Sequence, residues 1–401
     1  MNAFGHRVGR RSMVTALSCA VLAVVGLGTP TSVSASTCRG TTSFVPTPLA
    51  TSVQSSAGTW VTLPMGRLNQ PLNTFWQLFF RPTGMTTWSD KVGATATATN
   101  GGLIMAAAVA QPFVVGVRPA NLLHFSPLVA TADGGNSWSN GLLPHGLADS
   151  PDSLSLALDG RAVALVKNGL DAQVLVNQTG LSRWRTLTTA RRLATGTGGP
   201  TCGLRSLSAV AVLANSAFVG ATCARPGTVG IFVERSGNWH LDQPVLPEAL
   251  RQGLVEVLRL DDTSSGLSAL LGITTKVGEA FARATMPLTG GAWKVSSALS
   301  FASHERLASF GPANASGVFV LGTLPSGSTR LAVLGALGGW SMLPAPPRFT
   351  DTVAFDPANA ATVEALTAHG ATMSVWSLAP GAGSWNRGQI LHVALTYGSS
   401  S

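Results

Sequence analysis

Hydrolysis by paired carboxylates needs two acids held within a few ångströms of one bond, and this chain has only 17 Asp and Glu among 401 residues. Asp261-Asp262 is the one acidic doublet, and its place before Thr263-Ser264-Ser265-Gly266 reads as a turn. Asp356, which precedes Pro357, and the run Asp149-Ser150-Pro151-Asp152 read the same way. Past residue 35 the histidines His124, His145, His240, His304, His369 and His392 lie too far apart in sequence to form a recognisable metal pair. Serine is too abundant to nominate a nucleophile, and neither a G-x-G-x-x-G fingerprint nor a P-loop lysine occurs in a strand-to-helix setting. We therefore assign no catalytic residue from sequence and expect no metal, nucleotide or other cofactor. Arg183, Arg185, Arg191 and Arg192 form the only dense basic stretch; without interleaved aromatics for base stacking, it does not suggest nucleic-acid binding.

The cysteines and the N-terminus point to an oxidising compartment. Arg7, Arg10 and Arg11 precede an apolar run over 13–27, interrupted by Ser18, and Val33-Ser34-Ala35 follows as a small-residue cleavage site. These are the three parts of an export signal, so residues 1–35 are set apart from the fold, 36–40 read as a short tail and 41–401 as the folded domain. The run is too short for a membrane anchor. Arg10-Arg11 leaves the general and twin-arginine routes both open, and neither Cys19 nor Cys38 has the usual lead-in of a lipid anchor. Without the three signal arginines the net charge falls from +9 to +6, and the 22 arginines against four lysines resemble the output of a GC-rich bacterial genome. Cys202 and Cys223 flank a strand-turn-strand segment and are the natural disulfide pair. Cys38 is left free, pairs between chains, or displaces one of the other two. A secreted or envelope-associated monomer is expected.

Tryptophan spacing supplies the architecture. Trp60, Trp138, Trp184, Trp239, Trp293, Trp340 and Trp385 are separated by 78, 46, 55, 54, 47 and 45 residues. A period near fifty is what four short strands and their turns require, which is one propeller blade. Glycine stands two residues ahead of Trp60, Trp239, Trp293, Trp340 and Trp385, where a hairpin turn can use its positive φ. Short β-rich runs at 206–213, 216–222, 229–234, 316–321 and 330–334 fill the intervals. Residues 360–368 have some helical spacing but read equally well as the second strand of a blade. The long first interval holds a hairpin at 75–88, giving an elaborated blade or an imperfect extra repeat. The expected fold is a single all-β propeller of about seven four-stranded blades, with six or eight open, closed by a strand at 390–397 that pairs with N-terminal strands.

Thr131-Ala132-Asp133-Gly134-Gly135-Asn136-Ser137-Trp138 fits the pattern Ser/Thr-x-Asp-x-Gly-x-Ser/Thr-Trp. In it the chain resembles the Asp-box propellers, a broad group that includes sialidases, other glycoside hydrolases and non-enzymatic secreted proteins. Physically, Asp133 can accept backbone amides across the turn, Gly135 supplies the unusual φ and Trp138 packs beneath the hairpin, with Thr131 and Ser137 completing the box. Degenerate copies precede Trp184, Trp239 and Trp293. The sialidase resemblance implies an arginine triad, a tyrosine nucleophile paired with glutamate and an aspartate acid/base. The single tyrosine, Tyr397, sits past the last repeat with no glutamate near it and reads as part of the closing strand. Arg81, in Phe80-Arg81-Pro82, is similar to the sialidase arginine-proline signature without its isoleucine; it reads as a hairpin surface arginine ahead of one reaching the central face. The expectation is a non-enzymatic propeller presenting loops to a protein or glycan, with a divergent glycoside hydrolase working in the central funnel as the alternative. Trp88 and Trp376 are read as packed inside blades ahead of stacking on a sugar.

Overall fold

Each run of Val, Leu, Ala, Phe and Thr between turn residues becomes a strand, and successive strands pair antiparallel in fours. The computed structural model describes residues 51–55, 57–67, 74–91, 102–108, 112–117, 128–144, 151–168, 171–263, 265–302, 304–314, 317–335, 338–347, 353–359 and 362–393. The expected export signal, the expected tail with Cys38, and Tyr397 lie outside them.

Seven meanders follow one another among the described residues. The first runs through Thr51–Ser55, Gly58–Gly66, Thr74–Pro82 and Ser89–Lys91, and the second through Leu103–Ala106, Phe113–Val117, Leu128–Thr131 and Ser139–Gly141. Pro151–Leu156, Ala162–Asn168, Asp171–Thr179 and Arg183–Thr189 make the third; Leu204–Leu213, Ser216–Cys223, Gly230–Arg235 and Asn238–Leu241 make the fourth. The fifth uses Leu254–Thr263, Gly266–Thr274 and Glu279–Pro287, edged by two short pieces, Lys294–Val295 and Leu299–Ser300. Arg306–Asn314, Gly317–Thr323, Thr329–Leu334 and Trp340–Leu343 form the sixth, and Val353–Asn359, Thr362–His369, Thr372–Leu378 and Asn386–His392 the seventh. The fourth and fifth touch edge to edge through one register pair, Thr222 with Glu256. Residues 362–369 are therefore a strand, the second of their meander, and the helical spacing seen there goes unused.

The burial patterns follow from stacking sheets face to face. A second strand packed on both faces needs no polar alternation, and Gly58–Gly66 and Gly266–Thr274 are buried along all but their last residue. The last strand of a meander meets solvent: Asn386–His392 has no buried residue. Two short helices, Ala190–Thr195 and Gly199–Cys202, interrupt the path from third to fourth meander. The second is tied by a disulfide from Cys202 to Cys223, at the end of a strand, as the sequence suggested.

Six of the seven repeat tryptophans stand at the start of a fourth strand, and Trp60 does not. It lies in the second strand of the first meander, stacked on Phe113 with ring centroids 4.0 Å apart and set edge-on to Trp138 at 6.0 Å. The equivalent residue there is Trp88, immediately before Ser89–Lys91. Counted from Trp88, the first interval is 50 residues, so the hairpin at 75–88 is the ordinary outer pair of its meander and no extra repeat is needed.

The seventh meander packs against the first. Residues 390–392 of the expected closing strand pair within their own meander, with Thr372–Leu378, and 394–397 lie outside the described residues. Among the described residues the first and seventh meanders are joined by side chains and one bridge. Gln389 Nε2 donates to Trp88 O at 2.8 Å while its Oε1 accepts from Trp88 N at 2.7 Å. Gly66 and Gly370 form an isolated bridge. Arg81 is neither a surface arginine nor on the central face: it is buried, paired with Glu364 at 2.7 Å, and lies over the Trp88 ring.

Candidate functional site

The first strands of successive meanders surround a cavity of about 250 Å³. Its wall is mostly aliphatic and serine, from residues such as Leu103, Met105, Leu154, Leu207 and Ser153, with Asp152, Glu256, Asp261, Asp262, Lys167 and Arg259 as the charged groups. The serines have structural partners: Ser153 Oγ accepts from Val210 N at 3.1 Å, Ser155 Oγ from Val212 N at 3.0 Å, and Ser208 Oγ donates to Val257 O at 2.7 Å. Asp152 and Asp261-Asp262, expected in turns, are strand residues facing this interior. First strands must converge, so acids near their ends reach the cavity.

Asp261 is held by Arg259, at 2.5 Å. Arg259 also donates to Thr51 Oγ1 at 2.7 Å and Ser52 O at 3.2 Å, tying the fifth meander to the first. Asp262 has no side-chain partner among the described residues. Burial, reinforced by the charge of Asp261, pushes its carboxyl up to about 6. Asp152 Oδ2 accepts from Lys167 N at 3.1 Å. Asp356, the other candidate, lies in a first strand at a register shift. Trp88 and Trp376 are buried, the latter donating to Thr367 Oγ1 at 3.0 Å. No group of three or more His, Cys, Asp or Glu among the described residues could hold a metal ion.

The 131–138 turn is closed by its aspartate. Asp133 Oδ1 accepts from Asn136 N at 3.0 Å, Ser137 N at 2.9 Å and Thr131 Oγ1 at 2.8 Å, and Asp133 Oδ2 accepts from Ser137 Oγ at 2.6 Å. The Ser137 hydroxyl first, then its amide and the Thr131 hydroxyl, hold this carboxyl far below the usual carboxylate range. Gly134 and Gly135 take φ of 69° and 83°, and a Cβ on Gly134 would meet the Phe80 ring. Both carboxylate oxygens of Asp133 are thus engaged in shaping the turn.

The second opening, of about 270 Å³, lies between the third and fourth meanders, lined by Arg161, Arg185, Arg192, Glu234 and Trp239 over aliphatic side chains. A tryptophan fastening seen at three later junctions is missing here. At later junctions the tryptophan opening an outer strand donates its indole N–H to chain that has just left the preceding outer strand: Trp293 to Asp242 Oδ1 at 3.3 Å, Trp340 to Ser297 O at 2.9 Å and Trp385 to Pro344 O at 3.0 Å. Here the chain leaving the third outer strand turns into the two helices, and Trp239 Nε1 has no hydrogen-bond partner among the described residues.

Comparison with known proteins fixes the architecture. The structure superposes on the BP39L lectin from Burkholderia pseudomallei with a TM-score of 0.51 and 13% identity, covering 84% of this chain and 96% of that one. The fold is a β-propeller. A six-bladed Aleuria aurantia lectin matches 75% of this chain and 95% of its own length at 13% identity, TM-score 0.44. YCF48, solved with a D1 peptide, matches 79% and 88% at 15% identity, TM-score 0.42. No family model and no curated protein matches the sequence. The propeller's side opening was not foreseen. Its signals were present as the arginine stretch at 183–192 and as Trp239, but their meeting depends on an inter-blade packing that sequence spacing does not encode.

Proposed function

We propose that this chain is an exported seven-bladed propeller, akin to the Asp-box propellers, that binds a saccharide where its third and fourth blades meet. The observation that carries this reading is the opening at Trp239. A pyranose needs an apolar face for its C–H groups and fixed polar groups for its hydroxyls; Arg161, Arg185, Arg192 and Glu234 stand here over an aliphatic wall, with the 8% exposed edge of Trp239 at its side. At about 270 Å³ the opening suits a sugar residue better than a protein surface. The lectin whose architecture it shares lends support, and the charged, apolar and small-residue segments of 1–35 support export. The molecule works as a monomer, with its ligand held without covalent chemistry.

One observation favours the hydrolase alternative: Asp262, with its carboxyl near 6, sits beside Asp261 at the central cavity. The capture of Asp261 by Arg259 weighs against it. A glycan array probed with the secreted chain separates the two readings. Retention of a glycan, reduced about tenfold or more in Arg185→Ala, a change at an exposed lining residue, is the expected result. An array without retained glycan, or retention indifferent to Arg185→Ala, contradicts the proposal. Cleavage of array glycans that disappears in Asp262→Asn establishes the hydrolase instead.

A further inference from the structure

The side opening carries more positive charge than a neutral sugar requires. Arg185, on the outer strand of the third blade, and Arg192, in the first helix, both line it, and neither guanidinium has a partner among the described residues. Arg161 is fixed from behind, donating to Ala214 O at 2.5 Å and Asn215 O at 3.2 Å, with Asp159 at 3.5 Å. Its Nε is buried without a protein acceptor. Glu234, which accepts from Gly237 N at 2.6 Å, remains one carboxylate against Arg161, Arg185 and Arg192, so that the lining stays net positive. Two unspent guanidinium groups, an unspent indole N–H and this positive balance make a site for an anion attached to a ring.

Building on the saccharide reading, we infer that this opening takes an acidic saccharide, with a carboxylate or sulfate ester between Arg185 and Arg192 and the sugar ring against Trp239. Planar guanidinium groups suit both anions, since each can present paired N–H donors to two oxygens. Arg183 and Arg191 are exposed close by but do not line the opening, which makes them controls for general attraction to a basic surface.

Titration calorimetry of the secreted chain with an oligogalacturonate, a heparin-derived oligosaccharide and a neutral cello-oligosaccharide of equal length tests this. The expected result is binding of at least one acidic probe about tenfold or more tighter than the neutral one, weakened in about 0.5 M NaCl. The two acidic probes distinguish carboxylate from sulfate. Arg185→Gln with Arg192→Gln should abolish the preference while thermal unfolding stays unchanged, and Arg183→Gln with Arg191→Gln should leave it intact. Equal affinity for neutral and acidic probes overturns the acidic preference and leaves the saccharide reading standing. Equal losses from both arginine pairs overturn the site. Failure of all three probes, together with an empty glycan array, overturns both readings.

Discussion

Burial, with Asp261 adding to it, makes the Asp262 carboxyl a weaker acid in the folded chain, at about 6, than its ordinary value of about 3.9. Between roughly pH 4 and 6 the folded state therefore binds more protons than the unfolded one, and stability falls as pH rises through that window. Asp262→Asn removes this cost. We expect the variant to gain on the order of 1–2 kcal/mol over wild type at pH 7 and to match it near pH 4, as read by urea unfolding at the two pH values. An equal stability at pH 7 would sink the argument. Single-residue roles were only partly legible in the sequence. The acidic doublet was visible just ahead of its hairpin, but that the strand carrying it faces a shared interior was not. Arg81 shows the limit more sharply, because its partner Glu364 lies 283 residues away and no local pattern announces so distant a carboxylate.

At the scale of elements, hairpin chemistry was legible where a turn follows a short template and illegible where it does not. At Gly237 and Gly338, two residues ahead of their tryptophans, φ is 81° and 83°. In the seventh outer hairpin the left-handed residue is Gly381 and not Gly383. In the first it is Gly84, four residues before Trp88, with φ of 78°. That longer loop hid Trp88 from the glycine-x-tryptophan template, while Gly58 disguised Trp60 as a member of the series. The disulfide anchors the one irregular inter-blade connection. Cys202 and Cys223 are both fully buried and 21 residues apart, and a loop of that length corresponds to about 3 kcal/mol in the chain-entropy account. The double variant Cys202→Ser, Cys223→Ser should lose about that much in urea unfolding and become insensitive to reductant. A wild type whose midpoint ignores reductant would contradict this.

For the whole molecule, the repeat period carried the architecture, because a blade is a local unit whose strands, turns and tryptophan recur in sequence. The contacts between the first and seventh meanders were not legible, because they join residues from the two ends of the domain. The clearest test is the Arg81–Glu364 pair, whose side chains are 9% and 19% exposed. Arg81→Met leaves Glu364 largely buried without its cation and should cost about 3 kcal/mol, whereas adding Glu364→Leu should restore most of it. Equal stability of the single variant and wild type in thermal unfolding would show that the pair does not hold the seam. The Gln389 clasp has a mechanical side. Its residue belongs to the outer strand of the seventh meander, which among the described residues is hydrogen-bonded along one edge. A load drawn along that strand meets its backbone bonds one after another, and peeling the strand also withdraws the amide that grips Trp88. The seam between the seventh and first blades thus bears the load and the latch on the same few residues, whereas interior junctions bury theirs between continuous chain.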